Sequence, residues 1–244
     1  TKMTSTSENS VALTASLPLA GLLLCLLLLL ELLFLAPQSM AQSGNSLSFD
    51  PSQIEAKAQA LASSPYKSVE LAVNSPLRDL DYDDYRRIVF DPEAAIWKDQ
   101  NSPFQLQLFH PGFLHINPVK INLVKNGQAE VLPFSTDVFN YHQDLPDIDP
   151  DDAGGYAGFR VHYPINTSAR HEEFLVFLGA SYFRGVGRDQ FYGLSARGLA
   201  VNTVGPEGEE FPRFTEFWIE TPAQNATHIN VHALLDSAFL LLVF

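Results

Sequence analysis

The chain has 244 residues, 46% of them hydrophobic and 11% aromatic, enough for one large or two small folded domains and too apolar for a disordered chain. A net charge of −13 argues against nucleic acid and anionic membrane surfaces as partners, because it repels phosphates and lipid headgroups. The single cysteine, Cys25, lies in an apolar leader, so thiol catalysis, disulfides and cysteine-ligated zinc are excluded from the mature chain.

Residues 17–36 (LPLAGLLLCLLLLLELLFLA) form a nearly unbroken apolar run. Ser39 and Ala41 place small residues at the −3 and −1 positions of a cleavage site after Ala41, so residues 1–41 read as a signal peptide. The run is also long enough to span a bilayer, which keeps an uncleaved membrane anchor as the alternative. The leader has only Lys2 in its n-region, Glu31 inside the run, and no twin arginine.

Asp50, Pro51 and Ser52 open a helix, because an aspartate can accept the orphan N–H groups and proline suits the first turn. Ile54, Ala58 and Leu61 follow at helical spacing, and Ser63-Ser64-Pro65 ends it. The apolar strip is one residue wide, so the helix is expected at a sheet edge. Asp79, Asp81, Asp83 and Asp84 lack the glycine and terminal glutamate of a calcium loop and read as a solvated acidic turn.

From Arg86 the pattern is that of strands. Residues 86–90 are a short apolar run, and 104–109 (FQLQLF) alternate strictly. His110-Pro111-Gly112 marks a turn, 113–116 and 119–124 read as strands, and Asn126-Gly127 marks a hairpin returning through 129–134. Residues 144–155 are an acidic loop. Further strands are expected over 158–165, 172–184, 190–203, 211–220 and 228–236. Over 216–220, Phe217 and Ile219 oppose Glu216, Trp218 and Glu220. Closely spaced strands without crossover helices predict an all-β antiparallel sandwich with a short N-terminal helix. Residues 42–237 are its expected extent, and the wholly apolar 238–244 reads as an aberrant tail on a truncated chain.

Chemistry concentrates between Tyr156 and Trp218, where arginines alternate with aromatics and turn glycines. The apolar face of a pyranose stacks on a ring, while arginine and carboxylate groups hydrogen-bond its hydroxyls. Tyr182, Tyr192 and Trp218 are therefore the stacking candidates, and Arg184, Arg197 and Arg213 the hydrogen-bonding ones, as one wall of a groove. Glu209 and Glu210, beside Arg213, are the carboxylates best placed for a sugar contact, among Glu216, Glu220 and Asp236. The bland alternative is a sheet with aromatic cross-strand pairs and arginines on its solvent face. His228 and His232 on one strand stand about 13 Å apart, too far to share a metal, and no metal or cofactor is expected.

The blocks YDDYRRIVFDPEAAIW, FQLQLFHPGFLHINPVKIN, GFRVHYPIN, FLGASYFR, YGLSARGLA, GEEFPRFTEFWIE and HALLDS resemble the periplasmic glucan biosynthesis protein family, the G and D proteins of osmoregulated periplasmic glucan synthesis. The resemblance implies a periplasmic protein with a large sandwich of the galactose-mutarotase-like supersandwich type, followed by a smaller immunoglobulin-like domain. It implies binding and processing of a β-1,2-linked glucan, with β-glucan oligosaccharide or polysaccharide and a membrane-bound glucan synthase as partners. The family resembles β-1,2-glucanase-type hydrolases, but the resemblance places the catalytic acids beyond residue 244, so no catalytic residue is assigned. A non-catalytic carbohydrate-binding scaffold and an inactive truncated remnant are the alternatives. The missing twin arginine favours the G-type branch.

Overall fold

The computed structural model describes residues 47–67, 70–71, 75–142, 145, 148–206, 208–238 and 242–243. The leader, Cys25 and most of the expected apolar tail lie outside these residues. In chain order the strands are β1 (Leu47–Ser48), β2 (Ile88–Phe90), β3 (Gln105–Phe109), β4 (Lys120–Lys125), β5 (Gln128–Val131), β6 (Phe139–Tyr141), β7 (Gly158–Tyr163), β8 (Glu172–Leu178), β9 (Tyr182–Gly185), β10 (Ala196–Arg197), β11 (Arg213–Glu220), β12 (Val231–Asp236) and β13 (Leu242–Val243). They form a six-stranded sheet, β1-β5-β4-β11-β12-β13, a five-stranded sheet, β10-β9-β8-β7-β3, and the pair β2-β6.

The two large sheets pack face to face, and strand alternation decides what lies between them. Leu106, Leu108, Phe159 and Val161 point inward from one sheet, and Ile121, Phe217, Ile219, Ala233 and Leu235 from the other. Phe159 meets Phe217 edge-on across the interface, with ring centroids 4.9 Å apart. This is the all-β sandwich read from the strand spacing.

One pairing departs from the antiparallel expectation: β4 and β11 run parallel, from Lys120 opposite Glu216 to Val124 opposite Glu220. A parallel neighbour needs a long connection, though not a helical one. Here residues 126–212 supply it by passing through the opposite sheet.

Helix α1 (Ser52–Ala62) begins where the capping residues indicated, with the Ser52 N–H donating to Asp50 Oδ1 at 2.9 Å. It does not sit at a sheet edge. Ile54 and Ala58 pack on Val124, Ala129, Trp218 and Leu234, so the helix lies across the outer face of the six-stranded sheet. Leu61 stays 36% exposed, which leaves the buried strip only two residues long. The acidic turn is a short helix, α2 (Tyr82–Tyr85), whose Asp81 accepts from the Asp84 N–H at 2.8 Å. A third, α3 (Pro150–Ala153), lies in the acidic loop.

Among the described residues one expected strand is absent and another is much shortened. Residues 113–116 form a tight turn with Phe113 at φ 54°, a left-handed conformation that breaks a strand. Over 190–203 the pairing is reduced to Ala196–Arg197 on β9 and a single bridge from Val201 to Glu210.

Gly158, at the start of β7, has no room for a side chain. A Cβ there would lie 2.1 Å from the Phe177 carbonyl oxygen of β8. Backbone held in a ladder cannot yield as a side chain does, so Gly158→Ala is expected to cost the upper part of about 1–3 kcal/mol. The urea midpoint checks this.

Candidate functional site

Five of the eight candidate saccharide contacts gather on the outer face of the five-stranded sheet. Strand pairing sets Tyr182 opposite Arg197, and the Arg197 guanidinium lies over the Tyr182 ring at 5.8 Å. Arg197 also forms an ion pair with Glu209. Two residues along β9, Arg184 lies over the Tyr192 ring at 5.2 Å. Burial, then the charge and hydrogen bond of Glu173, push the Tyr192 hydroxyl well above the usual tyrosine range. Glu173 in turn accepts from Arg160 at 3.3 Å, and Arg160 covers the Phe109 ring at 5.5 Å. The face is thus a ladder of arginine–ring pairs tied together by two carboxylates.

The other three candidates do not join this wall. Phe217 and Ile219 point into the core, so Trp218 between them points out through the opposite sheet. There it is covered by α1, stacked with Phe49 at 6.4 Å and overlain by Lys57 at 5.6 Å. Arg213 is buried on that sheet, opposite Asp236 in register, with its Nε donating to the Tyr66 hydroxyl at 3.4 Å. Glu210 pins the end of β12, accepting from the Ser237 hydroxyl at 2.6 Å and the Ala238 N–H at 2.7 Å. Of the six arginines and rings expected in one wall, four share a face and are joined there by Glu209; Trp218 and Arg213 lie on the opposite sheet, where alternation along β11 turns Trp218 to the far side of the shared core.

The far side holds a groove of about 700 Å³ between α1 and the segments around Pro133 and Gly154. Its most connected residue is Glu216, which is 5% exposed. Oε1 accepts from Asn122 Nδ2 at 2.9 Å and lies 3.2 Å from Lys120 Nζ, while Oε2 is held by Lys57. Burial pushes this carboxyl upward, but hydrogen bonds from Lys57 and Asn122 and the two lysine charges outweigh it, leaving it below the usual glutamate range. A carboxyl held ionised this way does not fit the general acid of glycoside cleavage. Alternation along 216–220 already puts Glu216 on the outer side. Lys57 and Lys120 lie far away in sequence, and no local pattern links them to it.

Residues 49–240 match the family described as periplasmic glucan biosynthesis protein, MdoG. This chain belongs to the MdoG family. Glucans biosynthesis protein G of Rhodopseudomonas palustris (strain BisA53) is 48% identical over 202 residues, covering 83% of this chain and 39% of that protein. Glucans biosynthesis protein G of Ralstonia nicotianae is 46% identical over 201 residues, covering 82% of this chain and 40% of that protein. A Shewanella relative of the same name (strain MR-4) is 45% identical over 189 residues, covering 78% of this chain and 35% of that protein. The chain therefore spans about two fifths of the length of the curated relatives it matches. The MdoG match includes both the arginine–tyrosine wall and the groove.

Proposed function

We propose that this protein works in the periplasm, exported by its leader, and binds the β-1,2-linked glucan backbone in osmoregulated periplasmic glucan synthesis. A membrane-bound glucan synthase is the partner that would supply the nascent chain. The observation that carries this reading is the family match over residues 49–240.

The wall on the five-stranded sheet is the proposed contact. Tyr182 and Tyr192 offer ring faces for the C–H side of glucose, and Arg184, Arg197 and Glu209 offer donors and acceptors for its hydroxyls. Each arginine is already seated over a tyrosine, so little ordering is required on binding. Binding without cleavage is the reading this geometry favours. Glu173 and Glu209 are each engaged by an arginine, and neither is placed as a proton donor.

Calorimetric titration of the purified chain with linear β-1,2-gluco-oligosaccharide tests the proposal. Saturable binding is expected, weakened about tenfold by Tyr192→Ala or Arg197→Ala, with the glucan length unchanged after incubation. Unaltered affinity in both variants would remove the wall from the account, and shortened glucan would replace binding by hydrolysis.

A further inference from the structure

The groove on the opposite face runs against the charge of the molecule. The chain carries −13 overall, yet the groove is lined by four cationic side chains, Lys57, Lys67, Lys120 and Arg213, against the acids Asp151, Glu216 and Asp236. Arg213 faces Asp236 across the β11–β12 pairing. Lys57, from α1, and Lys120, from β4, converge on the one carboxylate of Glu216. Two ammonium groups on one carboxylate leave a net positive charge at a partly desolvated site, where Coulomb attraction is stronger than in bulk water. Both lysine side chains are about half exposed, at 42% and 49%, and an ammonium has three donors to place. Beside this cationic rim the groove is walled by Leu61, Leu132, Pro133, Phe134 and Leu234. Its volume of about 700 Å³ is that of a small-molecule site.

We propose that this groove is a second binding site, separate from the glucan wall, for a small amphiphilic anion. A carboxylate or phosphate head reaches Lys57 and Lys120, and an apolar body lies along Leu132, Phe134 and Leu61. Glu216 is the internal anion that holds the two lysines in place until such a head arrives. Its removal therefore has a definite sign: the lysines lose their counter-charge and attract an external anion more strongly.

The test is calorimetric titration of the purified chain with decyl phosphate below its micelle concentration, alongside inorganic phosphate and decyl maltoside. Decyl phosphate is expected to saturate one site at least tenfold more tightly than inorganic phosphate, and decyl maltoside not to compete. Lys57→Gln with Lys120→Gln is expected to weaken decyl phosphate tenfold or more, Glu216→Gln to strengthen it several-fold, and Tyr192→Ala on the far face to leave it unchanged. Equal binding of decyl maltoside, no saturation, or full affinity in the double lysine variant would overturn the proposal. Equal affinity for inorganic phosphate would overturn the apolar part of it. A melting curve for each variant reports folding, and the lysine variants carry the test if Glu216→Gln does not fold. Because the Tyr192 variant separates the two faces, failure here leaves the glucan reading standing.

Discussion

Replacing Phe217 with alanine is expected to remove about 3–5 kcal/mol of folding stability. The residue is 1% exposed and lies on β11, with β4 on one side and β12 on the other. Its ring contacts Phe159 at 4.9 Å, Phe214 at 5.2 Å and Phe177 at 5.3 Å, so it joins the two sheets. Hydrogen-bonded ladders hold the backbone on both sides, and the surrounding rings cannot collapse into the space left behind. The cost should therefore lie near the top of what a buried aromatic gives. Phe217→Leu keeps much of the volume and should cost less than about 1.5 kcal/mol. Urea unfolding of both variants checks the account. Equal, sub-kilocalorie losses would mean that the rings do not pack as described.

The second large effect is acid destabilisation through His110. The side chain is 2% exposed and ringed by Phe139, Phe134 and Tyr141, with centroids at 4.9, 5.2 and 5.6 Å. Its Nδ1 meets the Pro111 carbonyl at 2.6 Å, which places the proton of the neutral ring on Nδ1 as donor. Burial lowers the imidazole pKa from 6.5 to about 4, and the Pro111 hydrogen bond offsets only part of this. Between those values the unfolded chain takes up a proton that the folded chain refuses. Stability is thus full above pH 6.5 and falls as pH drops toward 4, by roughly 3 kcal/mol for this group. Burial pushes His115 and His162 in the same direction, so they add to the same slope. Unfolding free energies at pH 7 and pH 4.5 are expected to differ clearly in the natural protein and much less in His110→Phe. An unchanged pH slope in that variant would show that the ring is not shielded.

What could be read from the sequence was what is encoded nearby. Asp50, which accepts from the Ser52 N–H, and Ser63, the C-cap, bracket α1 because such end contacts are local. Its seat could not be read, since Trp218 and Leu234 lie more than 150 residues further on. The alternation of Phe217 and Ile219 against Glu216 and Trp218 was legible and holds in the sheet. The same alternation separates Trp218 from Tyr182 and Tyr192, but only the pairing of sheets shows which faces point the same way. Residues 190–203 are apolar enough to look like a strand. Yet Phe191 is 96% exposed and Leu194 fully so, and a pattern cannot reveal that the first half of a segment lies outside the sheet. The Tyr182–Arg197 pair comes from strand register, and the Lys57–Glu216–Lys120 cluster from three distant segments. Neither has a signature shorter than the fold itself.

The parallel β4–β11 pair also orders events in time. The β4–β5 hairpin is complete by residue 131, but the neighbour on its β4 side begins only at residue 213. The seat of α1 waits just as long, because β11 and β12 build it. Closing so long a stretch of chain costs entropy before any contact repays it, which slows assembly. The early hairpin and helix therefore stay without their main packing surface, and the sandwich closes only once β11 and β12 have docked.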